Sequence, residues 1–264
     1  MSNLPGVFTT SKKDGTIYYR SSITINNKHI SLGSFDSPKP ANKAYQEAYE
    51  IFQSDRSIED YDYALHISFK KYVSLINFRD NGIYFKTPIY LQKKFFIYYL
   101  STDFHLLFDV DDLFYYSTRS IMKRGNHLFV ADYGMQVNIL SRYGIREYAV
   151  CGRDYYFANG DNRDLRYGNI IIKNKYHGVS HSVRNGKDIF TAKIHINGNF
   201  IVGRYDSEEE AAIAFNKAVD ILRKNGFKKG FPENYPENLS ASKYAAIYSK
   251  LKISDKIIKL KPEA

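Results

Sequence analysis

Residues 190–214 read FTAKIHINGNFIVGRYDSEEEAAIA, and their pattern predicts the architecture of the C-terminal part of the chain. Apolar and polar residues alternate over 190–196, as they do in a half-buried β-strand with one polar face. Asn197 and Gly198 both tolerate positive φ and predict a tight hairpin turn. Residues 200–205 then form the returning strand. The stretch therefore predicts an antiparallel hairpin.

A helix is expected directly after this hairpin. Ser207, with Glu210 three residues later, has the pattern of a capping box, and Gly226 is a suitable helix end. Apolar residues recur at spacings of three and four and form one helix face. They are Ala211, Ala214, Phe215, Ala218, Ile221 and Leu222. Because the alanines let the helix lie close to a sheet, we expect a three-stranded antiparallel sheet with one face covered and the other left for solvent or a partner.

A second copy of the pattern lies near the N-terminus, where residues 19–36 read YRSSITINNKHISLGSFD. Ile25 matches Ile196 at an offset of 171 residues, and Asp36 matches Asp206 at an offset of 170. A further apolar stripe follows the first copy, with Ser37 at the N-cap and a proline at the first helical position. The sequence thus predicts two copies of one module on either side of a different middle.

Composition limits the class of protein. The chain has 264 residues, of which 44% are hydrophobic and 16% aromatic, so it can bury a core. No apolar run reaches the ~18 residues of a membrane helix, and the start MSNLPG does not resemble a signal peptide. We therefore expect no membrane association and a cytoplasmic protein, nucleoid-associated in a bacterium or phage. Cys151 is the single cysteine, which excludes internal disulfides and cysteine-rich zinc sites, and we expect it to be buried.

The charge is unevenly distributed. The chain carries 38 Lys and Arg against 28 Asp and Glu, a net charge of +10. Residues 1–60 have no net charge, residues 61–172 carry +3 and residues 173–264 carry +7. The codon bias of an AT-rich genome also enriches lysine, but it would spread lysine along the chain. A concentration in the last third favours a polyanionic partner, most often nucleic acid.

Several residues of the two modules resemble the Apetala-two/ethylene-response-factor DNA-binding domain. The resemblance lies in Tyr176-His177-Gly178-Val179, the strand at 190–194, Gly203-Arg204-Tyr205-Asp206 and the Glu-Glu-Ala-Ala helix. It covers residues 176–226 well and residues 5–53 more weakly. In that family the sheet lies in the major groove of DNA, and strand residues contact bases and phosphates.

The resemblance implies the residues that would contact DNA. In the C-terminal module they are Ser180, His181, Ser182, Arg184, Lys187, Thr191, Lys193, His195 and Arg204, and in the N-terminal module Arg20, Ser22, Thr24, Lys12 and Lys13. The plant family has arginines at the positions of Ser180, Ser182 and His195 and a glutamate at that of Lys193. The alternative left open is that both sheets have solvated faces without a partner.

The segment before the second module resembles the HNH homing endonucleases of phages and mobile elements. Asn159-Gly160-Asp161, Asp164, Arg166 and Asn169 match that pattern in register. An HNH site needs a histidine as general base and a polar metal ligand. Phe157 and Leu165 occupy those two positions. The resemblance therefore implies a scaffold without its hydrolytic site, with no metal and no cofactor, in which the polar residues form a turn network.

These observations predict an α+β fold with four segments. They are an N-terminal module (1–53), a middle domain (54–172) whose HNH-like part spans 104–172, a C-terminal module (173–230) and a helical tail (231–264). Ser240 can cap the tail helix. The tail packs on the body, forms a homodimer contact or lies along DNA, and the sequence leaves these roles open.

The predicted function is non-enzymatic binding of double-stranded DNA, as a regulator or a DNA-occupying factor of phage or mobile-element origin. Two alternatives remain. One is an HNH-type nicking endonuclease, and the other is a protein-binding inhibitor or anti-defence factor built on a nuclease-derived scaffold.

Overall fold

The computed structural model describes residues 4–262, which form two compact units. The first unit runs to Ile139 and includes Asp161–Asn169, and the second comprises Leu140–Gly160 and the chain from Ile170 onward. The bounds of these units differ from those of the four predicted segments. Two stretches lie outside the described residues, and they are residues 1–3 and residues 263–264. The first belongs to the start MSNLPG, where no signal peptide is predicted, and the second belongs to the predicted tail.

Helices and small antiparallel sheets together make up the fold, so the predicted α+β class is confirmed. The strands are β1 Val7–Ser11, β2 Ile17–Ile25, β3 Lys28–Phe35, β4 Ile89–Leu91, β5 Phe95–Tyr99, β6 His105–Asp109, β7 Ile121–Arg124, β8 His127–Asp132, β9 Met135–Asn138, β10 Tyr155–Phe157, β11 Ile170–Ile172, β12 Val179–Arg184, β13 Lys187–His195 and β14 Asn199–Tyr205. The helices are α1 Pro38–Gln53, α2 Phe69–Asn81, α3 Leu113–Thr118, α4 Glu208–Lys224, α5 Ala241–Lys250 and α6 Asp255–Ile258. None of these helices combines the length and apolar character that a membrane span requires.

The first unit begins with the sheet β1-β2-β3, which α1 covers on one face. Its core does not end with α1, because Tyr72 and Leu75 of α2 belong to the same buried cluster as Ile30 of β3. Arg79 of α2 also donates hydrogen bonds to the carbonyl of Ile51 at the end of α1 (3.1 Å) and to two carbonyls just beyond it. The N-terminal module therefore shares its core with the chain that follows it.

Two further three-stranded sheets, β4-β5-β6 and β7-β8-β9, complete this unit. The HNH-like segment 161–169 lies along β6. The backbone N–H of Leu107 donates to the carbonyl of Arg163 (2.9 Å), and that of Leu165 donates to the carbonyl of Leu107 (2.8 Å). Phe96, Phe108 and Tyr116 form a buried aromatic cluster beneath these strands.

The second unit contains the short hairpin β10-β11 and the sheet β12-β13-β14, which packs on α4. The Ser207 hydroxyl accepts a hydrogen bond from the N–H of Glu210 (3.1 Å), which confirms the predicted cap. The helix ends at Lys224, and Gly226 follows with a φ of 101°. Apolar residues from the inner face of the sheet meet the alanine stripe of α4, and these are Val179, Ala192, Ile194, Val202, Ala211, Ala214 and Ala218.

The internal repeat is visible in the backbone. Each sheet has a register irregularity at the same point, between Ser21 and Ser22 in one and between Ala192 and Lys193 in the other. Gly6 and Gly178 take nearly the same positive φ, 72° and 71°. Each glycine carbonyl accepts a hydrogen bond from the residue after the irregularity, Ser22 (3.0 Å) or Lys193 (2.7 Å).

The predicted turn at Asn197-Gly198 is wrong in type, because neither residue has a positive φ. His195 pairs with Asn199, so the loop holds three residues, and it closes through the N–H of Ile196 and the carbonyl of Gly198 (3.0 Å). The matching hairpin of the first copy has the two-residue turn Asn26-Asn27 with positive φ at both positions. Between equivalent strand pairs, the first copy has four residues between Thr24 and its partner His29, and the second has three between His195 and Asn199, which accounts for the decrease of the offset from 171 to 170.

The tail packs against its own module, which is one of the three roles that the sequence left open. The Ser240 hydroxyl caps α5, as predicted. Lys217 of α4 donates from Nζ to the carbonyls of Tyr248 (2.6 Å) and Leu251 (2.8 Å) at the end of α5. Ile257 is fully buried in the core of the module. The predicted homodimer stays a prediction, and Ile257 of the tail packs within its own chain.

Candidate nucleic-acid interface

The sheet β12-β13-β14 has a covered inner face and an open outer face. Side chains alternate between the two faces along each strand, and α4 covers the inner positions. We use "outer face" for the positions opposite α4. They are Ser180, Ser182, Arg184, Lys187, Ile189, Thr191, Lys193, His195, Asn199, Ile201 and Arg204.

The pairing register brings the predicted residues together on this face. Thr191 on the central strand lies between Ser180 of β12 and Arg204 of β14. Arg184 pairs with Lys187 at the hairpin tip. From the rise of a strand, the outer positions of β13 span roughly 27 Å, and from the spacing of strands, β12 and β14 lie about 10 Å apart.

Four cations on this face have no compensating charge. Arg184, Lys187, Lys193 and Arg204 are all exposed, and within residues 4–262 none of their side chains forms an ion pair or hydrogen bond. No outer position holds an aspartate or glutamate. Since unpaired surface cations add their potentials, the outer face is suited to a polyanion.

Three of the other predicted residues of this module differ in how exposed they are. Thr191 is 8% exposed, between its two neighbours. His195 is exposed, and its Nδ1 lies 3.1 Å from the side-chain oxygen of Asn199. His181 lies on the opposite side of the strand from Ser180 and Ser182. Its ring stacks on Phe190 and contacts Asp188 (2.6 Å), so the structure does not place it on the outer face.

The matching face of the N-terminal sheet is less cationic. Arg20 lies between Phe8 and Ser34, and it is the one cation among the outer strand positions described there. Ser22 is 8% exposed, and Thr24 contacts His29 through its hydroxyl (3.3 Å). Lys12 and Lys13 are exposed in the loop between β1 and β2.

The HNH-like residues of the first unit form a hydrogen-bonded turn. Asp164 is 3% exposed, and its carboxylate pairs with Arg166 at 2.6 Å. Asn169 donates from its side-chain amide to the carbonyls of Asp161 (3.2 Å) and Asp164 (2.8 Å). Leu165 is buried. Among residues 4–262, no three His, Cys, Asp or Glu side chains are grouped so that they could hold a metal ion.

A pocket of about 340 Å³ lies at one end of the outer face, and the sequence did not reveal it. Arg153 and Tyr148, from the loop before β10, line it together with His177, Lys193 and His195. The hairpin β10-β11 brings this loop to the sheet, so residues more than twenty positions apart meet without any local pattern. Burial, and then the charge of Arg153, lower the pKa of His177.

Asp154 fixes the loop in place. Burial raises the pKa of its carboxyl, but hydrogen bonds from Arg153, the N–H of Val150 and Asn174 outweigh it, and the net pKa is lowered. Asn174 also accepts a hydrogen bond from the N–H of His181 on β12 (3.1 Å), which ties the loop to the sheet. Cys151, in the same loop, is exposed, so the prediction that it is buried was wrong.

Comparison of the chain with protein-family models, with curated proteins and with solved structures finds no match. The two family resemblances therefore rest on the residues quoted from the sequence.

Proposed function

We propose that this chain binds double-stranded DNA through the outer face of β12-β13-β14. The observation that carries the proposal is the set of four uncompensated cations, Arg184, Lys187, Lys193 and Arg204, on a face without carboxylates. Each lysine or arginine placed against a phosphate releases condensed counterions, and this release supplies much of the affinity of proteins for DNA.

The shape of the face suits the major groove. The two edge strands lie about 10 Å apart, against a groove width of about 12 Å. Between the cations lie the short side chains of Ser180, Ser182 and Thr191. Short polar side chains let the backbone come close to the base edges, and the hydroxyls of Ser180 and Ser182, which donate to cross-strand carbonyls (3.5 and 3.4 Å), can accept hydrogen bonds there.

The proposed role is that of a regulator or a DNA-occupying factor rather than a nuclease. Phe157 and Leu165 hold no proton or metal at the two positions where an HNH enzyme needs polar groups. Asp164, Arg166 and Asn169 of the HNH-like segment bond to one another in a turn, which gives them a structural use.

Binding of the full chain to a fluorescent random-sequence duplex tests the proposal. If all four cations contact phosphates, the slope of log Kobs against log salt is about −3 to −4. Lys193→Glu is expected to weaken binding at least about tenfold near 50 mM salt. Lys243→Glu is the matched control, since this exposed lysine lies on α5, which packs on α4 away from the outer face.

Three outcomes would overturn the proposal. The first is the absence of duplex binding at ~50 mM salt, where phosphate contacts are strongest. The second is an equal loss of affinity in Lys193→Glu and Lys243→Glu, and the third is magnesium-dependent nicking of plasmid by the purified chain. The first would favour a protein partner, the second would move the interface, and the third would assign the nuclease activity.

A further inference from the structure

Arg153 differs from the cations of the outer face because it is held in one place. Its Nε donates to Asp154 at 3.0 Å and its Nη2 at 2.6 Å, while 65% of its side chain remains exposed. Arg184, Lys193 and Arg204 have no such anchor within the described residues. The guanidinium of Arg153 is therefore preorganised, and Arg153 lines the same pocket as Lys193 and His195.

The anchor is itself firmly fixed. The Asp154 carboxylate also accepts from the N–H of Val150 (2.8 Å) and from the Asn174 amide (3.2 Å). The backbone carbonyl of Asp154 accepts from the N–H groups of Lys173 (2.7 Å) and Asn174 (2.9 Å). Because Asn174 is bonded in turn to β12, the position of Arg153 is set relative to the sheet.

The geometry leaves a particular set of donors available. A guanidinium has five N–H groups, and the contacts with Asp154 use the one on Nε and one on Nη2. The remaining N–H of Nη2 and the two of Nη1 form the end of the fork. Two such parallel N–H groups match the O6 and N7 acceptors that guanine presents in the major groove.

The ion pair with Asp154 favours a base over a phosphate as the DNA group that Arg153 contacts. The carboxylate at 2.6 Å offsets the charge of Arg153, so this arginine adds little to the nonspecific attraction for phosphates. What it retains is the direction of its donors. Provided that the chain binds duplex DNA as proposed above, we infer that Arg153 reads a guanine at one end of the sheet's footprint, with Asp154 and Asn174 as positioning residues.

Selection of bound sequences from a random duplex pool tests this inference. The full chain is expected to enrich a site with a guanine at one position, and Arg153→Ala to lose that preference alone. The affinity of Arg153→Ala for the selected duplex is expected to fall about 10- to 100-fold, with the slope against salt unchanged. Arg184→Ala is the matched control, expected to keep the guanine and to make the slope shallower by about 0.9.

A second variant guards against a folding defect, since Arg153→Ala leaves Asp154 without its main partner. Arg153→Lys keeps a cation beside the carboxylate but lacks the fork, and it is expected to lose the guanine preference while melting close to the wild type. If Arg153→Ala and Arg153→Lys select the same site as the wild type, the inference is wrong and DNA binding stands. A shallower salt slope in Arg153→Ala with no change of site would assign a phosphate contact instead. If the wild type enriches no duplex, the proposed function itself fails.

Discussion

The hydroxyl of Ser21 is buried without a hydrogen-bond partner among the described residues. The residue itself is fully buried. Its cross-strand neighbours are Val7 and Gly33. In the second copy the same register position holds Ala192, which is also fully buried. Replacing Ser21 by alanine therefore installs a side chain that the repeated backbone already accommodates.

The magnitude follows from the cost of an unsatisfied hydroxyl. Burying one without a partner costs roughly 1–3 kcal/mol by mutational data, and its removal gives up only a few van der Waals contacts. We expect Ser21→Ala to raise the free energy of unfolding by about 1 kcal/mol. For a unit of this size the melting temperature then rises by about 2–4 °C. Ala192→Ser, the reciprocal change in the second copy, is expected to lower stability by at least as much.

Denaturant titration and scanning calorimetry measure both variants, with the two units followed as separate transitions where they separate. Ser74→Ala is the matched control. Ser74 is equally buried, but its hydroxyl donates to the carbonyls of Lys70 (3.0 Å) and Thr87 (3.3 Å), so its loss is expected to cost about 1 kcal/mol. A decrease in stability on Ser21→Ala at an unchanged m-value would show that the buried hydroxyl does not destabilise the unit.

Three more changes test the second unit. Gly178→Ala places a Cβ against Phe215 at a φ of 71°, so we expect denaturant titration to show a free energy of unfolding lower by at least about 2 kcal/mol. Gly160→Ala is the control, with an expected decrease of about 1 kcal/mol, because its φ is 79° and no atom lies near the added Cβ. Lys217→Met removes the donor to the carbonyls at the end of α5, and limited proteolysis is expected to cut the tail faster, with Lys243→Met unchanged. Since burial lowers the pKa of His177, the unfolded state takes up its proton first as the pH falls below about 6.5. The melting temperature of the second unit is then expected to fall more steeply with acidification in the wild type than in His177→Gln, and parallel curves would contradict this.

Local patterns predicted the strand and the helix of the second module. The alternation at 190–196 and the cap at Ser207 both depend on neighbours a few residues away, and the structure has the strand and the helix where they were expected. The alternation of side chains along a strand also puts His181 on the opposite face from Ser180 and Ser182, although the family resemblance implies DNA contacts for all three. The shared core of α1 and α2 depends on packing between distant segments, which no local pattern encodes.

The site was predictable only in part, for a related reason. Outer-face cations such as Lys193 and Arg204 follow from strand alternation once the strands are known. Arg153 belongs to a loop whose sequence gives no indication of a site, and the role proposed for it depends on Asp154 and Asn174 meeting across the β10-β11 hairpin. The turn at Asn197-Gly198 was also not predictable from its own residues, because strand pairing leaves three residues in the loop and neither Asn197 nor Gly198 has a positive φ.

The two copies share a backbone geometry but differ in the charge of their outer faces. Gly6 and Gly178 share a positive φ, and the same carbonyl bond follows each of them, so the backbone geometry is present twice. At the position after the irregularity, however, one copy has the buried Ser22 and the other the exposed Lys193. A cation at this position is therefore not needed to form the sheet. Folding does not account for the cation at Lys193, and the proposed binding of a polyanion would account for it.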